Sequence, residues 1–192
     1  MGERLKVLVL ADSRAFHTAR YVAELRRQGC QVLLASLEDG STLHYQLKNR
    51  GPIRHLRYSL AATEVRSIVR RFRPDIVNPH FASGYGFTSA LAQLRRFAPV
   101  LLHLWGSDIL VVPQKSIFHR RKTAYALQQA DFILGDSRYL VSTAESLARL
   151  RASKVIYWGI EKEFLGLHRK DYALGSPLRI LVPRQHEKVY NN

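Results

Sequence analysis

The sequence predicts an α/β protein built on a doubly wound, Rossmann-like parallel sheet. Short apolar runs rich in Val, Ile and Leu recur along the chain, and segments of helical periodicity separate them. The runs are continuously apolar, as expected of strands covered on both faces, and right-handed helical crossovers then give a parallel layer.

Taken in order, the expected strands are Lys6–Ala11, Gln31–Ser36, Asp75–Phe81, Pro99–Trp105, Asp131–Ser137 and Lys154–Trp158. Between them, Val65, Ile68, Val69 and Phe72 stand at helical spacing with arginines elsewhere on the turn, and Leu140, Ala144, Leu147 and Ala148 repeat the pattern. The stretch Glu38–Tyr58 reads as a loop-rich excursion with at most one weak strand near Arg54–Tyr58. After Trp158 the pattern breaks, Pro177 precedes a fresh apolar run, and Leu178–Pro183 reads as the first strand of another domain. The expected division is therefore a first domain over 1–165, a linker over 166–177 and the start of a second domain over 178–192.

The 192 residues include 30 Lys and Arg against 15 Asp and Glu, a net charge of +15 that attracts anionic surfaces. Cys30 is the only cysteine, so neither an internal disulfide nor a cysteine-based zinc site is available, and the default expectation is the cytoplasm. The apolar stretch after Met1 is too short for a signal peptide, and no run approaches the ~18 apolar residues of a membrane span. Any membrane contact is expected to be peripheral, at the inner face.

Open parallel sheets bind ligands beyond the carboxyl ends of their strands. Those positions hold Asp12 and Ser13, then Pro79 and His80, then Gly106, Ser107 and Asp108, then Asp136 and Ser137. Asp and Ser after a strand serve equally as helix N-caps, the preferred reading for Ser137, and His17 is either a ligand or a first-turn surface residue. The turn after the first strand reads ADSRAFH, which lacks the Gly-x-Gly-x-x-Gly of a dinucleotide site. A P-loop, a Gly-x-Ser-x-Gly elbow, a His-Glu-x-x-His pair and an Asp-x-Asp pair are also absent, so no metal and no cofactor is expected.

Six segments in register resemble the retaining GT-B glycosyltransferases of the family 4-like group. FHTARYVAELRRQGCQVLLAS resembles the first helix and second strand, with Cys30 where that family usually has His. RPDIVNPHF resembles its "P-D-I-V-H-x-H" strand, LLHLWGSDIL its "H-G-x-D" strand end, and ADFILGDSRYL its "A-D-x-I-x-x-S" strand. VIYWGIEKEF resembles the segment leading to the interdomain linker, and RILVPRQHEKVYN the opening of the donor-binding domain. The resemblance implies the N-terminal, acceptor-side half of a GT-B fold. It also implies a nucleotide-sugar donor held by the other half, a glycan or lipid-linked acceptor from an envelope pathway, and transfer with retention. The paired Glu residues of that family fall beyond Asn192, so the fragment is expected to be inactive alone.

The resemblance places Asp12, Ser13, His17, His80, Trp105, Gly106, Ser107 and Asp108 around acceptor or sugar, and Arg184 on the donor phosphates. Where the family has a His before the Gly of the fifth strand, this chain has Trp105, which either stacks on a sugar or fills the core. His103 lies two residues earlier on the same face, about 7 Å down the strand. His103 and Asp108 are the candidates for catalysis, without an assigned role. The Lys expected six residues after Arg184 is Tyr190, with Lys188 nearby.

Lys115–Leu127 combines apolar residues with Arg120, Arg121 and Lys122. It either lies on an anionic membrane surface or forms an ordinary solvated helix. Two other functions compete: a basic non-catalytic binding module, for which no nucleic-acid recognition motif is present, and a nucleotide-sugar epimerase of the same architecture.

Overall fold

The computed structural model describes residues 4–40, 44–48, 54–159 and 165. The chain divides into two units, Met1–Trp158 and Gly159–Asn192, and the structure below is that of the first. The expected linker over 166–177, the expected second domain over 178–192 and Arg184 lie outside the described residues.

Among the described residues, seven parallel strands form the layer. β1 (Lys6–Leu10) pairs with β2 (Gln31–Ser36) on one side and with β4 (Ile76–Pro79) on the other, and the short β3 (Tyr45–Gln46) flanks β2. β5 (Leu101–His103), β6 (Phe132–Gly135) and β7 (Ser153–Val155) form a second run. Parallel bridges Val77–Val100 and His80–His103 join the two, giving the order β3-β2-β1-β4-β5-β6-β7. The six strands expected between Lys6 and Trp158 are present, most with shifted ends, the last as Ser153–Val155, while the strand expected over Leu178–Pro183 lies outside the described residues.

The crossovers are helical: α1 (Phe16–Arg27), α2 (Arg54–Leu60), α3 (Ala62–Phe72), α4 (Phe87–Leu91), α5 (Ser107–Leu110), α6 (Ile117–Gln128) and α7 (Arg138–Leu147). Alternate residues of β1 feed opposite faces of the layer. Leu8 and Leu10 enter the larger core with Val65, Ile68 and Val69 of α3, while Val7 and Val9 pack with Val22 of α1 and Leu34 of β2. Both faces are thus buried, which is why Val7–Leu10 of β1 are all apolar and only Lys6, at its entering end, is polar, and each fully buried Leu contributes about 1.5–3 kcal/mol.

Two acids mark the entering ends of strands. Asp75 accepts the amide N–H of Lys6 at 2.7 Å, and its own N–H donates to the Lys6 carbonyl. Asp131 accepts from the Val100 amide and from Arg95 Nε. The acids of the Pro-Asp-Ile and Ala-Asp-Phe motifs therefore stitch neighbouring strands at the edge away from the ligand-binding end. Ser137 caps α7, its hydroxyl accepting the Leu140 N–H, and Ser116 caps α6 through the His119 N–H.

One expected element is corrected. Arg54–Tyr58 is not a weak strand but most of α2. Leu56, Tyr58 and Leu60 alternate in sequence, which imitates a strand, yet tertiary packing decides otherwise. The Tyr58 ring meets Tyr85 edge-on at 5.2 Å, and the Tyr58 carbonyl accepts the Thr88 hydroxyl.

The loop after β2 closes onto the turn after β1. The Ser13 hydroxyl donates to the Glu38 carbonyl, and the Ser13 N–H donates to Ser36 Oγ. Gly40 lies so close that an added Cβ would stand 2.5 Å from the carbonyl carbon and oxygen of Ser13. Backbone cannot yield as a side chain does, so Gly40→Ala should destabilise the protein by about 1–3 kcal/mol, read as a lower midpoint in urea unfolding. An unchanged midpoint would mean that this close approach is not maintained.

Candidate functional site

The parallel layer brings the carboxyl ends of β1, β4 and β5 to one edge, where a cleft of about 740 Å³ opens. Its floor and near wall come from Ala11, Asp12, Ala15 and Thr18 around the start of α1. The loop after β4 contributes His80, Phe81, Ser83, Gly84 and Tyr85, and the loop after β5 contributes Trp105 and Ser107. Tyr58, Val112, Lys115, His119 and Lys122 complete the far wall.

Irregular backbone positions these groups. Phe81 takes a left-handed conformation (φ 70°) as the chain turns from β4 into the π-helical turn Phe81–Gly86, and Gly106 has φ 93° after β5. The fully buried carboxylate of Asp108 ties the two loops together. Its Oδ2 accepts the Ala82 N–H at 2.6 Å and its Oδ1 accepts the Trp105 N–H at 3.0 Å. Burial pushes the Asp108 carboxyl up to about 6, only partly opposed by the backbone N–H groups around it.

Of the residues expected at the site, Asp12, His80, Trp105 and Ser107 line the cleft. Asp12 also holds Arg14, accepting its backbone N–H and two guanidinium nitrogens. Asp108 is placed differently from the expectation: fully buried, with its oxygens on backbone amides, it organises the loops instead of facing a sugar. Ser13 is likewise buried and bonded to the loop after β2, and Gly106 supplies the turn that Asp108 spans. Tyr58, Ser83 and Tyr85 also line the cleft without having been expected there; the Ala-Ser-Gly-Tyr-Gly stretch after β4 was a signal for Ser83 and Tyr85, and Tyr58 on α2 had none. A Cβ on Gly86 would lie 2.9 Å from the Leu102 side chain, so only a small residue lets this turn pack on β5.

Beside the cleft, aromatic rings and imidazoles gather. His80 and His103 lie 5.0 Å apart, His103 stacks on Trp158 at 5.6 Å, and Trp105 contacts His17, His80 and Trp158 at 5.4–5.5 Å. His103 and Trp105 are 6.2 Å apart on the same side, as their two-residue spacing implies. Asn78 Nδ2 donates to the Leu101 carbonyl, so Asn78 Oδ1 faces His80 Nε2 at 3.1 Å and selects the tautomer protonated there. His80 Nδ1, His103 Nδ1 and Trp105 Nε1 are buried without a hydrogen-bond partner among the described residues. Among the described residues, no three His, Cys, Asp or Glu side chains converge as metal ligands.

The basic segment splits into two faces. Lys122 turns inward, its ammonium 4.6 Å from the Phe87 ring centre and 5.8 Å from that of Tyr58, and burial lowers its pKa. This removes Lys122 from the surface set expected with Arg120 and Arg121, both of which are exposed.

The imidazoles make acid stability measurable. Burial lowers His103 to about 4 and His80 well below the usual histidine value, so both rings are neutral at pH 7. Because the unfolded chain protonates near 6.5, the contribution of His103 is complete above that pH and is lost as pH falls towards 4. The difference corresponds to about 3 kcal/mol. Asp108 acts with opposite sign, its contribution being complete below about 4 and lost as pH rises through 6. His103→Gln should therefore flatten the decline in stability between pH 6.5 and 4 in urea titrations. An unaltered decline would place the ring in a solvated setting.

Residues 6–137 match the Glycosyl transferase 4-like family. An uncharacterized glycosyltransferase of Methanocaldococcus jannaschii is 30% identical over 133 residues, 69% of this chain and 37% of the relative. This chain thus spans little more than a third of that protein's length. Among solved structures, sucrose-phosphate synthase of Thermosynechococcus elongatus superposes with a TM-score of 0.62 at 11% identity, covering 83% of this chain and 92% of that one. MurG of Acinetobacter baumannii gives 0.52 at 18% identity, covering 83% and 46%. UDP-GlcNAc 2-epimerase of M. jannaschii gives 0.57 at 9% identity, covering 77% and 45%. At these identities the structural likeness speaks for the fold alone, the Rossmann-like half of a GT-B architecture, while the sequence match is decisive: the chain belongs to the glycosyl transferase 4-like family.

Proposed function

We propose that this chain is the acceptor-binding half of a glycosyltransferase that passes a sugar, with retention, from a nucleotide-sugar donor to a polysaccharide, lipid-linked or other envelope acceptor. The cleft beyond β1, β4 and β5 carries this reading. Trp105 offers an indole beside a cavity large enough for a sugar unit, and Asp12, Ser83 and Ser107 offer hydrogen-bonding groups for hydroxyls. The neutral imidazoles of His80 and His103 add polarity without opposing the positive charge that develops on a transferring sugar. The donor would sit on a second domain starting at 178, with Arg184 on its diphosphate, so the chain alone would not turn over, and the reaction would need no metal.

Saturation-transfer NMR on the 192-residue chain tests this, using neutral and phosphorylated oligosaccharides against UDP-glucose. Oligosaccharide signals without UDP-glucose signals are expected, and Trp105→Ala should weaken oligosaccharide binding by about tenfold. Binding of UDP-glucose alone would overturn the reading. It would favour the epimerase alternative, which shares this fold.

The protein would work at the inner face of a membrane, with α6 as its contact. Ile117 and Phe118 are 65% and 66% exposed, Leu110 and Val111 are exposed in the preceding turn, and Arg120 and Arg121 stand beside them. Apolar side chains flanked by arginines on a chain of charge +15 complement an anionic leaflet. Among the described residues no helix is long and apolar enough to cross a membrane. The chain should sediment with phosphatidylglycerol vesicles and not with phosphatidylcholine vesicles at low salt. Arg120→Ala/Arg121→Ala should abolish this and Lys122→Ala should leave it intact; equal sedimentation of all three proteins would overturn the assignment to α6.

A further inference from the structure

The far wall of the cleft has an electrostatic character that a neutral sugar does not explain. His119 and Lys122 are three residues apart on one face of α6, Lys115 stands in the turn before the helix, and all three line the cleft. Among the described residues the only carboxylate lining the cavity is Asp12, on the opposite wall, and it already holds the Arg14 guanidinium. Among the described residues no carboxylate forms an ion pair with Lys115 or Lys122.

Lys122 is the informative member. Its ammonium is half-buried and rests between the Phe87 and Tyr58 rings, whose faces supply only part of what water or a counter-ion would. A charge that has lost part of its hydration is costly to keep, and the cost falls when an anion enters. A phosphate suits the arrangement better than a carboxylate. Its oxygens reach several donors at once, and Lys115 and His119 lie on the same wall to share it. Trp105 and Ser107, contributed by the loop after β5, leave room for the sugar that such a phosphate would carry.

Building on the acceptor-side reading above, we infer that the cleft recognises its acceptor through a phosphate group seated on Lys115, His119 and Lys122. The substrate class is a phosphorylated sugar, in which the phosphate belongs either to a soluble sugar phosphate or to the diphosphate of a lipid-linked glycan.

Isothermal titration of the 192-residue chain tests this with glucose 1-phosphate, inorganic diphosphate, farnesyl diphosphate and neutral methyl glucoside. Glucose 1-phosphate should bind more tightly than methyl glucoside, and the advantage should shrink with added salt. Lys122→Met, which keeps the stem and removes the charge, should weaken glucose 1-phosphate binding by about tenfold or more. Lys115→Gln should weaken it less, Lys122→Arg should retain most of it, and Arg149→Gln, an exposed charge after α7, should not change it. Thermal unfolding establishes that each variant is folded, and Lys115→Gln carries the test if Lys122→Met is not.

Farnesyl diphosphate binding more tightly than inorganic diphosphate and glucose 1-phosphate points to the lipid-linked source. Glucose 1-phosphate binding at least as tightly as farnesyl diphosphate points to the soluble one. Equal binding by Lys122→Met and wild type, or an equal loss in Arg149→Gln, overturns the inference. If methyl glucoside binds as tightly as glucose 1-phosphate and is lost in Trp105→Ala, the phosphate site falls while the acceptor cleft stands. If neither sugar binds, both fall.

Discussion

The cleft depends on a single buried carboxylate. Asp108 is out of contact with water, and its charge is satisfied by backbone N–H groups from two loops. Charge-assisted hydrogen bonds to amides offset part of the desolvation cost, and they do so only if Ala82 and Trp105 are held at fixed positions. The left-handed turn at Phe81 and the positive φ at Gly106 follow from that demand, since each loop must bend back to present its amide. The placement of His80 and Trp105 is the result. A carboxylate sealed from the cavity thus ties down the loops that carry His80 and Trp105.

A second network does the same at the other end of the cleft. Tyr85, on the turn after β4, donates its hydroxyl to Glu38 at 2.5 Å and accepts the Leu37 N–H, while Arg57 of α2 pairs with Glu38 at 3.3 Å. Ser36 and Ser13 join the same group, so the turn after β1, the end of β2, α2 and the turn after β4 share one polar knot. Arg57 and Glu38 are largely buried, which makes this knot a device for fixing geometry more than a source of net stability. The burial of Tyr85 beside Glu38 keeps its hydroxyl protonated and donating.

These two knots explain what the sequence revealed and what it concealed. The strands were legible because continuous Val, Ile and Leu runs have one physical cause, burial on both faces. The edge on which polar residues collect was legible from strand direction. What a polar residue does at that edge was not. Asp12 and Asp108 look alike in sequence, since each follows an apolar run and precedes a helix, yet one faces the cavity and the other is sealed behind it. Burial depends on how neighbouring loops fold over, and that is set by partners as distant as Ala82 and Glu38. The misread Arg54–Tyr58 stretch has the same origin: its alternation was real, but Tyr58 packs on Tyr85, a partner 27 residues away.

The basic run of α6 was half legible, and its resolution bears on function. Consecutive helical residues are about 100° apart, so His119 and Lys122 share a face from which Arg120 and Arg121 turn away. One run of four basic residues therefore serves two surfaces, with a cavity on one side and bulk solvent on the other. The exposed arginines keep their hydration and act at long range, with an attraction that salt screens. The inward lysine has lost part of its hydration, so an anion reaching it gains more per contact, and the gain depends on fit as well as charge. Family membership fixes the layer that carries α6, and the same layer underlies enzymes with different chemistries. Under the proposed function, specificity would reside in such local asymmetries, where the direction of one side chain would separate attraction to a surface from recognition of a substrate.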